Sequence, residues 1–310
     1  GRQAAGFAFG FNGSGGVWRR SCIQDPAVGG WQADTLCEDL DLSYRAQLVG
    51  WRGIYMNDVE SPAEIPPQLL AFKRQQYRWA QGSVQTLRKL GKRVFTSDWR
   101  LSKKFAAFLH LGAYLLHPLL LGLLLITLPL AISGTAPAAP LAILSLFSIC
   151  PPLLYAIGQR SLYGNTWYRN YALLPMLMLL GMGLSFSNTL AVSNGLFGKH
   201  SEFLRTPKFN NTDDRHQWRN NAYRLPLQPT ILVEFILAIY AGITAIVCGM
   251  SGNYVNLLFI LIYTFGFGIV ALLGLWQEVS SRSVEAKASH HTQEQKLGAD
   301  LKPASITRDS

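Results

Sequence analysis

The sequence has little charge. Only 15% of its 310 residues are Asp, Glu, Lys or Arg, and 49% are apolar. An ordinary soluble domain has roughly 25% charged residues. The charges crowd into residues 19–104, 199–224 and 278–310, and the stretches between them are almost free of charge. This distribution argues against a soluble globular chain and predicts segments embedded in a membrane.

Cysteine is also scarce. The four cysteines, Cys22, Cys37, Cys150 and Cys248, form neither a CxxC pair nor a cluster with histidine. This spacing argues against a disulfide framework and against a structural zinc site. The chain begins at Gly1 without an initiator Met or a signal peptide, so we expect it to be the later part of a longer protein.

The formal net charge of +10 could suggest a nucleic-acid partner. The basic residues flank long apolar segments, however, which is typical of loops held at an anionic membrane surface. We therefore predict a lipid bilayer as a partner and no nucleic acid.

Four segments are apolar over about 20 residues, the length that a helix needs to cross a bilayer. They are 105–132, 139–158, 228–249 and 254–276. The uncharged links 133–138 and 250–253 are predicted to lie outside the cell. The links 159–170 and 198–227 carry Arg and Lys and are predicted to be cytoplasmic.

A fifth apolar segment, 171–197, is rich in Gly, Ser and Asn. Given the predicted links, it starts and ends on the same side of the membrane and is too short to cross twice. We therefore predict that it is interfacial or re-entrant, with an ordinary fifth span as the alternative. The polar residues 277–310 are predicted to form a disordered cytoplasmic tail.

Residues 1–104 carry most of the polar motifs. We predict short strands at 6–11 and 51–58, and a helix over 34–50 with Asp34 or Thr35 near its cap. A basic amphipathic helix is predicted from about Gln68 to Lys89, lying on the membrane surface before the first span.

Four motifs follow one another along the chain. FNGSGGVWRR spans residues 11–20, CEDLDL spans 37–42, QQYRW spans 75–79 and FLRTPK spans 203–208. The acidic residues of CEDLDL begin a helix, where they also suit the helix dipole.

Together these motifs resemble family 2 glycosyltransferases of the cellulose synthase and glucomannan (β-mannan) synthase group. The resemblance covers residues 1–276. It implies an α/β fold class, the C-terminal part of a GT-A (Rossmann-like) domain over 1–104, followed by a polytopic α-helical membrane domain over 105–276. The chain departs from the family at Cys37, where Thr is usual, and it lacks the strands that bind nucleotide and metal.

The resemblance also implies roles for individual residues. Asp39 is expected to be the general base, with Glu38 beside it, and Trp79 is expected to form the floor under the acceptor sugar. The acceptor loop would contain Asn12, Gly13 and Ser14. The diphosphate would be bound by Gln75, Arg78, Thr206 and Lys208, and Phe203 would belong to a gating loop. Mg²⁺ or Mn²⁺ is the expected cofactor, with its ligands in the missing N-terminal part.

The function implied is inverting transfer of a hexose from GDP-mannose or UDP-glucose to a growing β-glycan. The catalytic part would face the cytoplasm, and this portion alone is expected to be inactive. Two alternatives stay open, which are transfer of a single sugar to a lipid and a non-catalytic membrane remnant or partner subunit. The sequence does not decide whether the protein is a homo-oligomer.

Overall fold

The computed structural model describes residues 1–11, 13, 15–66, 68–134, 150–198 and 228–280, and the backbone of 281–300. The first helices of the chain are α1 (Arg20–Gln24), α2 (Glu38–Leu48), α3 (Leu69–Thr96), α4 (Leu101–Leu111) and α5 (Leu116–Ile132). The later ones are α6 (Cys150–Tyr163), α7 (Trp167–Tyr171), α8 (Leu174–Gly183), α9 (Ser185–Phe197), α10 (Thr230–Met250) and α11 (Tyr254–Asp300). Short 3₁₀ turns lie at Ala113–Leu115 and Gly164–Thr166.

The predicted strands at 6–11 and 51–58 do not form in the described part of the chain, which contains no β-strand. A strand needs the backbone of a neighbouring strand for its hydrogen bonds. Here the side chains of α2 take that place. Gln47 accepts from the backbone N of Phe9 at 3.3 Å and donates to its carbonyl oxygen at 2.7 Å, and Ser43 Oγ accepts from the backbone N of Phe11 at 2.7 Å. The α/β assignment of the front end therefore stays a prediction.

Helix α2 begins later than predicted. Its N-cap residue is Cys37, two residues after Thr35, and the Cys37 side chain makes no capping hydrogen bond. The carboxylate of Asp34 instead accepts from Lys89 Nζ at 2.8 Å. This pairing holds the segment before α2 against α3.

Helix α3 lies between the front end and the apolar helices. It packs on α2 and α4 on one side and on α9 on another. A buried cluster joins α2, α3 and α4, and it consists of Ala8, Tyr44, Leu90, Val94, Ala107 and Leu111. Protein therefore covers much of the α3 face that the sequence assigns to the membrane surface.

Among the residues that the structure describes, three segments are long and apolar enough to cross a membrane: Ala113–Ile132, Thr230–Met250 and Tyr254–Ser280. The predicted span 105–132 is divided at Gly112, because α4 ends at Leu111. The predicted span 139–158 lies partly outside the described residues. The apolar helices share a core of Leu124, Leu237, Ala241, Ala245, Ile260, Tyr263 and Phe267.

Helices α8 and α9 form a bent pair in the segment predicted to be re-entrant or interfacial. The bend is 53° at the break between Gly183 and Ser185. Helix α8 packs on α11, whereas α9 packs on α3. This geometry is compatible with a re-entrant segment and with a broken span.

The tail differs from the predicted disorder over part of its length. Helix α11 continues to Asp300, so residues 278–300 extend the helix of the last apolar segment. Alanine, glutamate, lysine and glutamine in this stretch have high helix propensity. Residues 301–310 lie outside the described part.

Two glycines allow α8 and α11 to cross closely. A Cβ atom placed on Gly183 would collide with the carbonyl oxygen of Gly266, and one on Gly266 would lie 2.7 Å from the carbonyl oxygen of Leu179. Backbone atoms on both helices occupy the space that a side chain would need. Small residues at such crossings are typical of helices that pack within membranes.

We predict that Gly183→Ala lowers the thermal unfolding midpoint of the detergent-solubilised chain, because the two helices must separate to admit the methyl group. Gly181→Ala is the matched control on the same helix, since a Cβ there meets nothing within 4 Å. Alanine is favoured over glycine in a helix by about 1 kcal/mol, so the control should keep or raise the midpoint. Equal midpoints for the two variants would contradict the close crossing.

Candidate functional site

One face of α3 carries the polar and aromatic residues of the QQYRW motif. Gln75, Arg78 and Trp79 stand at positions i, i+3 and i+4, which are neighbours on a helix surface. Gln75 and Arg78 are half-buried, and Trp79 is 40% exposed. The helix therefore presents a cation and a flat apolar ring side by side.

The start of α2 lies directly against this part of α3. The thiol of Cys37 is 4.0 Å from the carbonyl oxygen of Arg78 and 3.9 Å from that of Trp79. A Cβ atom on Gly82 would lie 2.5 Å from Cys37 Sγ and 2.7 Å from its backbone N. Only glycine at position 82 permits this approach of the two backbones. We call this contact the α2–α3 junction.

The two acidic residues follow Cys37 immediately and are half-buried. Asp39 Oδ1 accepts from the backbone N of Leu40 at 2.8 Å. A Cβ atom on Gly13 would lie 3.5 Å from Asp39 Oδ2, and Gly13 has a φ of +51°, a conformation that glycine adopts readily. The glycine-rich loop thus reaches the Asp39 carboxylate, while its neighbours Asn12 and Ser14 lie outside the described residues.

Burial and nearby charges shift the pKa of the Cys37 thiol at this junction. Burial, together with the nearby charges of Asp39 and Glu38, raises the pKa of its thiol to about 12, while Arg78 opposes the rise. The thiol therefore stays protonated and neutral at physiological pH.

A second set of contacts holds α2 in place. Lys89 of α3 contacts Asp41 of α2 at 3.0 Å and Asp34 at 2.8 Å. Asp41 is fully buried and also accepts from Arg45 Nε at 2.7 Å. These contacts let Asp41 fix the orientation of α2 relative to α3.

Comparison with known sequences assigns the chain to a family. The family model described as Glycosyl transferase family group 2 matches residues 1–185. The chain belongs to this family. The predicted resemblance is therefore confirmed, and it rests on more than half of the chain.

The relatives of this family 2 chain include plant enzymes. It is 30% identical over 273 residues to glucomannan 4-beta-mannosyltransferase 7 of Arabidopsis thaliana, covering 84% of this chain and 47% of the relative. It is 31% identical over 209 residues to probable glucomannan 4-beta-mannosyltransferase 3 of Oryza sativa subsp. japonica, covering 66% and 36%. The chain thus spans less than half of the length of these relatives. No solved structure matches it.

Several residues that the family 2 resemblance points to cannot be placed. Phe203, Thr206 and Lys208 lie outside the described residues. Within the part of the chain that the structure describes, no group of three His, Cys, Asp or Glu side chains could hold a metal ion. The described residues therefore do not fit a Mg²⁺ or Mn²⁺ site.

A polar cluster lies where the front end of the chain meets the apolar helices. The rings of Tyr114 and His117 stack with centroids 5.9 Å apart, and Asn188 Nδ2 lies 3.0 Å from His117 Nε2. Ser83 of α3 donates to the carbonyl oxygen of Leu111 at 2.8 Å, which ties this region to the helix that carries the QQYRW motif.

A different contact engages His110, the other histidine of this region. The Tyr44 hydroxyl lies 2.7 Å from His110 Nδ1, and the two rings are tilted against each other. His110 therefore belongs to the packing between α2 and α4 and not to the polar cluster.

Sequence reasoning missed one buried contact of this family 2 chain. Lys73 of α3 pairs with Glu234 of α10, and both side chains are buried. A signal was present, because Lys73 lies on the same helical stripe as Leu69, Ala80 and Val84, and Glu234 is the one acid inside a predicted span. A cation on a buried stripe and an acid in an apolar helix are natural partners.

Proposed function

We propose that this chain carries the acceptor side and the catalytic base of a membrane-bound glycan synthase. In this proposal the enzyme transfers a hexose from a nucleotide sugar to a growing β-glycan with inversion at the anomeric carbon. The α2–α3 junction supports the proposal most directly, because it packs Cys37, two residues before Asp39, against the backbone of Arg78 and Trp79.

The proposed chemistry is a single displacement. The Asp39 carboxylate takes the proton of an acceptor hydroxyl while that oxygen attacks the anomeric carbon of the donor. The bond between the anomeric carbon and the diphosphate oxygen breaks at the same time, and the nucleoside diphosphate leaves. Asp39 suits this role because it is half-buried at the start of a helix and next to a glycine that lets a ligand approach.

The leaving diphosphate needs positive charge and hydrogen-bond donors. Arg78 and Gln75 are proposed to supply them from α3, and Thr206 and Lys208 are proposed to join from the cytoplasmic loop. Arginine suits this task because its planar fork matches phosphate oxygens and stays charged. Phe203 and the loop around it are proposed to cover the donor and exclude water.

The donor and acceptor follow from the relatives and from the polar cluster. The relatives named glucomannan 4-beta-mannosyltransferase favour mannose, so we propose GDP-mannose ahead of UDP-glucose. Tyr114, His117 and Asn188 offer polar groups where the site meets the apolar helices, which favours a polysaccharide acceptor that enters there. The site is proposed to face the cytoplasm, as the positive-inside rule predicts.

Product analysis separates the proposal from its alternatives. The chain spans less than half of its relatives, so the assay uses these 310 residues joined to the upstream half of a family 2 domain. A long polymer made from GDP-mannose supports the proposal. A lipid carrying one sugar would favour the lipid acceptor, and no transfer would favour a non-catalytic subunit.

We predict that Asp39→Asn in that joined protein lowers kcat by at least about 100-fold, because the carboxamide cannot take the proton. Binding of the nucleotide sugar, measured by calorimetry, should change little, since an amide oxygen can still accept from the backbone N of Leu40. Asp58→Asn is the matched control, because this acid is exposed and lies outside the α2–α3 junction. Near-normal turnover by Asp39→Asn would remove Asp39 as the base.

We predict that Trp79→Ala raises the KM for the acceptor glycan by about fivefold, because stacking of a ring on a sugar face is worth on the order of 1 kcal/mol. Trp79→Phe keeps an aromatic ring and should recover most of the affinity. The KM for the donor should stay the same in both variants. If Trp79→Ala left acceptor kinetics unchanged, the ring would serve only as an anchor at the membrane interface.

A further inference from the structure

Helix α3 is connected to the apolar helices by a buried ion pair near its start. Lys73 Nζ donates to Glu234 Oε1 and, at 3.0 Å, to Thr230 Oγ1. Lys73 is 2% exposed and Glu234 is fully buried. The two residues are 161 positions apart in the sequence, so the pair joins distant parts of the chain.

A second contact lies one turn earlier on α3. The backbone N of Leu69 donates to Gln277 Oε1 of α11 at 2.8 Å. This N–H belongs to the first turn of the helix, where the backbone has no partner within the helix itself. Two apolar helices, α10 and α11, therefore hold the beginning of α3 through directional polar contacts.

Such a pair is a poor source of stability by itself. Both charges lose their hydration, and an apolar pair of similar size often does as well or better. Glu234 Oε2 is also buried without a hydrogen-bond partner among the described residues. A hydrogen-bonded ion pair is directional, so it permits fewer relative orientations of two helices than an apolar contact does.

Lys73 lies close along α3 to the residues of the QQYRW motif, so the ion pair can affect where their side chains lie. It precedes Gln75 by two residues, Arg78 by five and Trp79 by six, so all three lie within about 9 Å along the helix axis. A rotation or a shift of α3 at Lys73 would be carried directly to these side chains. A misplacement of about 1 Å at a reacting centre can cost on the order of 100-fold in rate.

We propose that Lys73 and Glu234 are positioning residues that set the rotation of α3 from the membrane helices. In doing so they aim Arg78 and Trp79 at the Asp39 carboxylate across the α2–α3 junction. This inference rests on the proposed glycosyl transfer, since it assigns the pair a role in that reaction. The positioning role goes beyond the proposed function, because the chemistry of glycosyl transfer does not require a link between the apolar helices and the site.

The test separates positioning from stability by replacing the pair in two ways. Lys73→Met and Glu234→Leu each leave one buried charge without its partner, so each variant alone should lower the thermal unfolding midpoint. The double variant removes both charges and should recover that midpoint, because it replaces the pair with an apolar contact. These midpoints are measured on residues 1–310 in detergent.

Turnover is then measured in the joined protein. The double variant should keep a kcat about 10- to 100-fold below wild type although its stability is restored, with the KM for donor and acceptor changed much less. Lys92→Met is the matched control, because it removes an exposed lysine of the same helix and should leave kcat and stability unchanged. Arg78 and Trp79 are present in every variant, so the loss can be assigned to their placement.

The outcomes are distinguishable. Recovery of kcat together with the midpoint in the double variant would overturn the positioning role and leave the proposed function standing. Failure of the two single variants to lower the midpoint would show that the pair does not form. Absence of transfer by the wild-type joined protein would remove the proposed function and the positioning role together, whatever the midpoints show.

Discussion

The arrangement of the site depends on a single close contact between two helices. Gly82 of α3 leaves room for Cys37, so the backbone before α2 rests on α3 where a methyl group would collide with it. Glu38 and Asp39 directly follow Cys37, which contacts the backbone of Arg78 and Trp79 in the QQYRW motif. Farther along, an ion pair between Lys89 and the buried carboxylate of α2 holds the same two helices together and resists their separation.

Helix α3 serves both halves of the molecule. Its contacts with α2 and α4 belong to the front end, and its contacts with α9 and α11 belong to the apolar helices. At one end of α9, Asn194 donates to the Tyr77 hydroxyl at 2.5 Å, and Arg88 donates to the carbonyl oxygen of Leu196 at 2.7 Å. The reaction proposed for this helix would therefore take place at the boundary between the front end and the apolar helices.

Local sequence signals predicted the parts of the fold that local interactions determine. Apolar runs predicted helices such as α10, and the amphipathic pattern predicted α3, whereas the roles of the QQYRW motif came from the family resemblance. The predicted strand at 6–11 does not form among the described residues. Strand pairing depends on a neighbouring strand, and the local sequence pattern does not show whether one is present. The Cys37–Gly82 and Lys73–Glu234 contacts join residues 45 and 161 positions apart, and periodicity carries no information about such pairs.

The α2–α3 junction can be tested most directly by a disulfide between the native Cys37 and a cysteine introduced by Gly82→Cys. The Cβ atoms would start 2.9 Å apart, so the helices need to separate by roughly 1 Å to reach the usual Cβ distance of about 3.8 Å. Gly91→Cys is the control, because position 91 lies nine residues farther along the same helix. We predict that mild oxidation cross-links Cys37 to the cysteine introduced at position 82, seen by peptide mass spectrometry, and not to the cysteine introduced at position 91. No cross-link at position 82, or equal cross-linking at both positions, would contradict the junction on which the site is built.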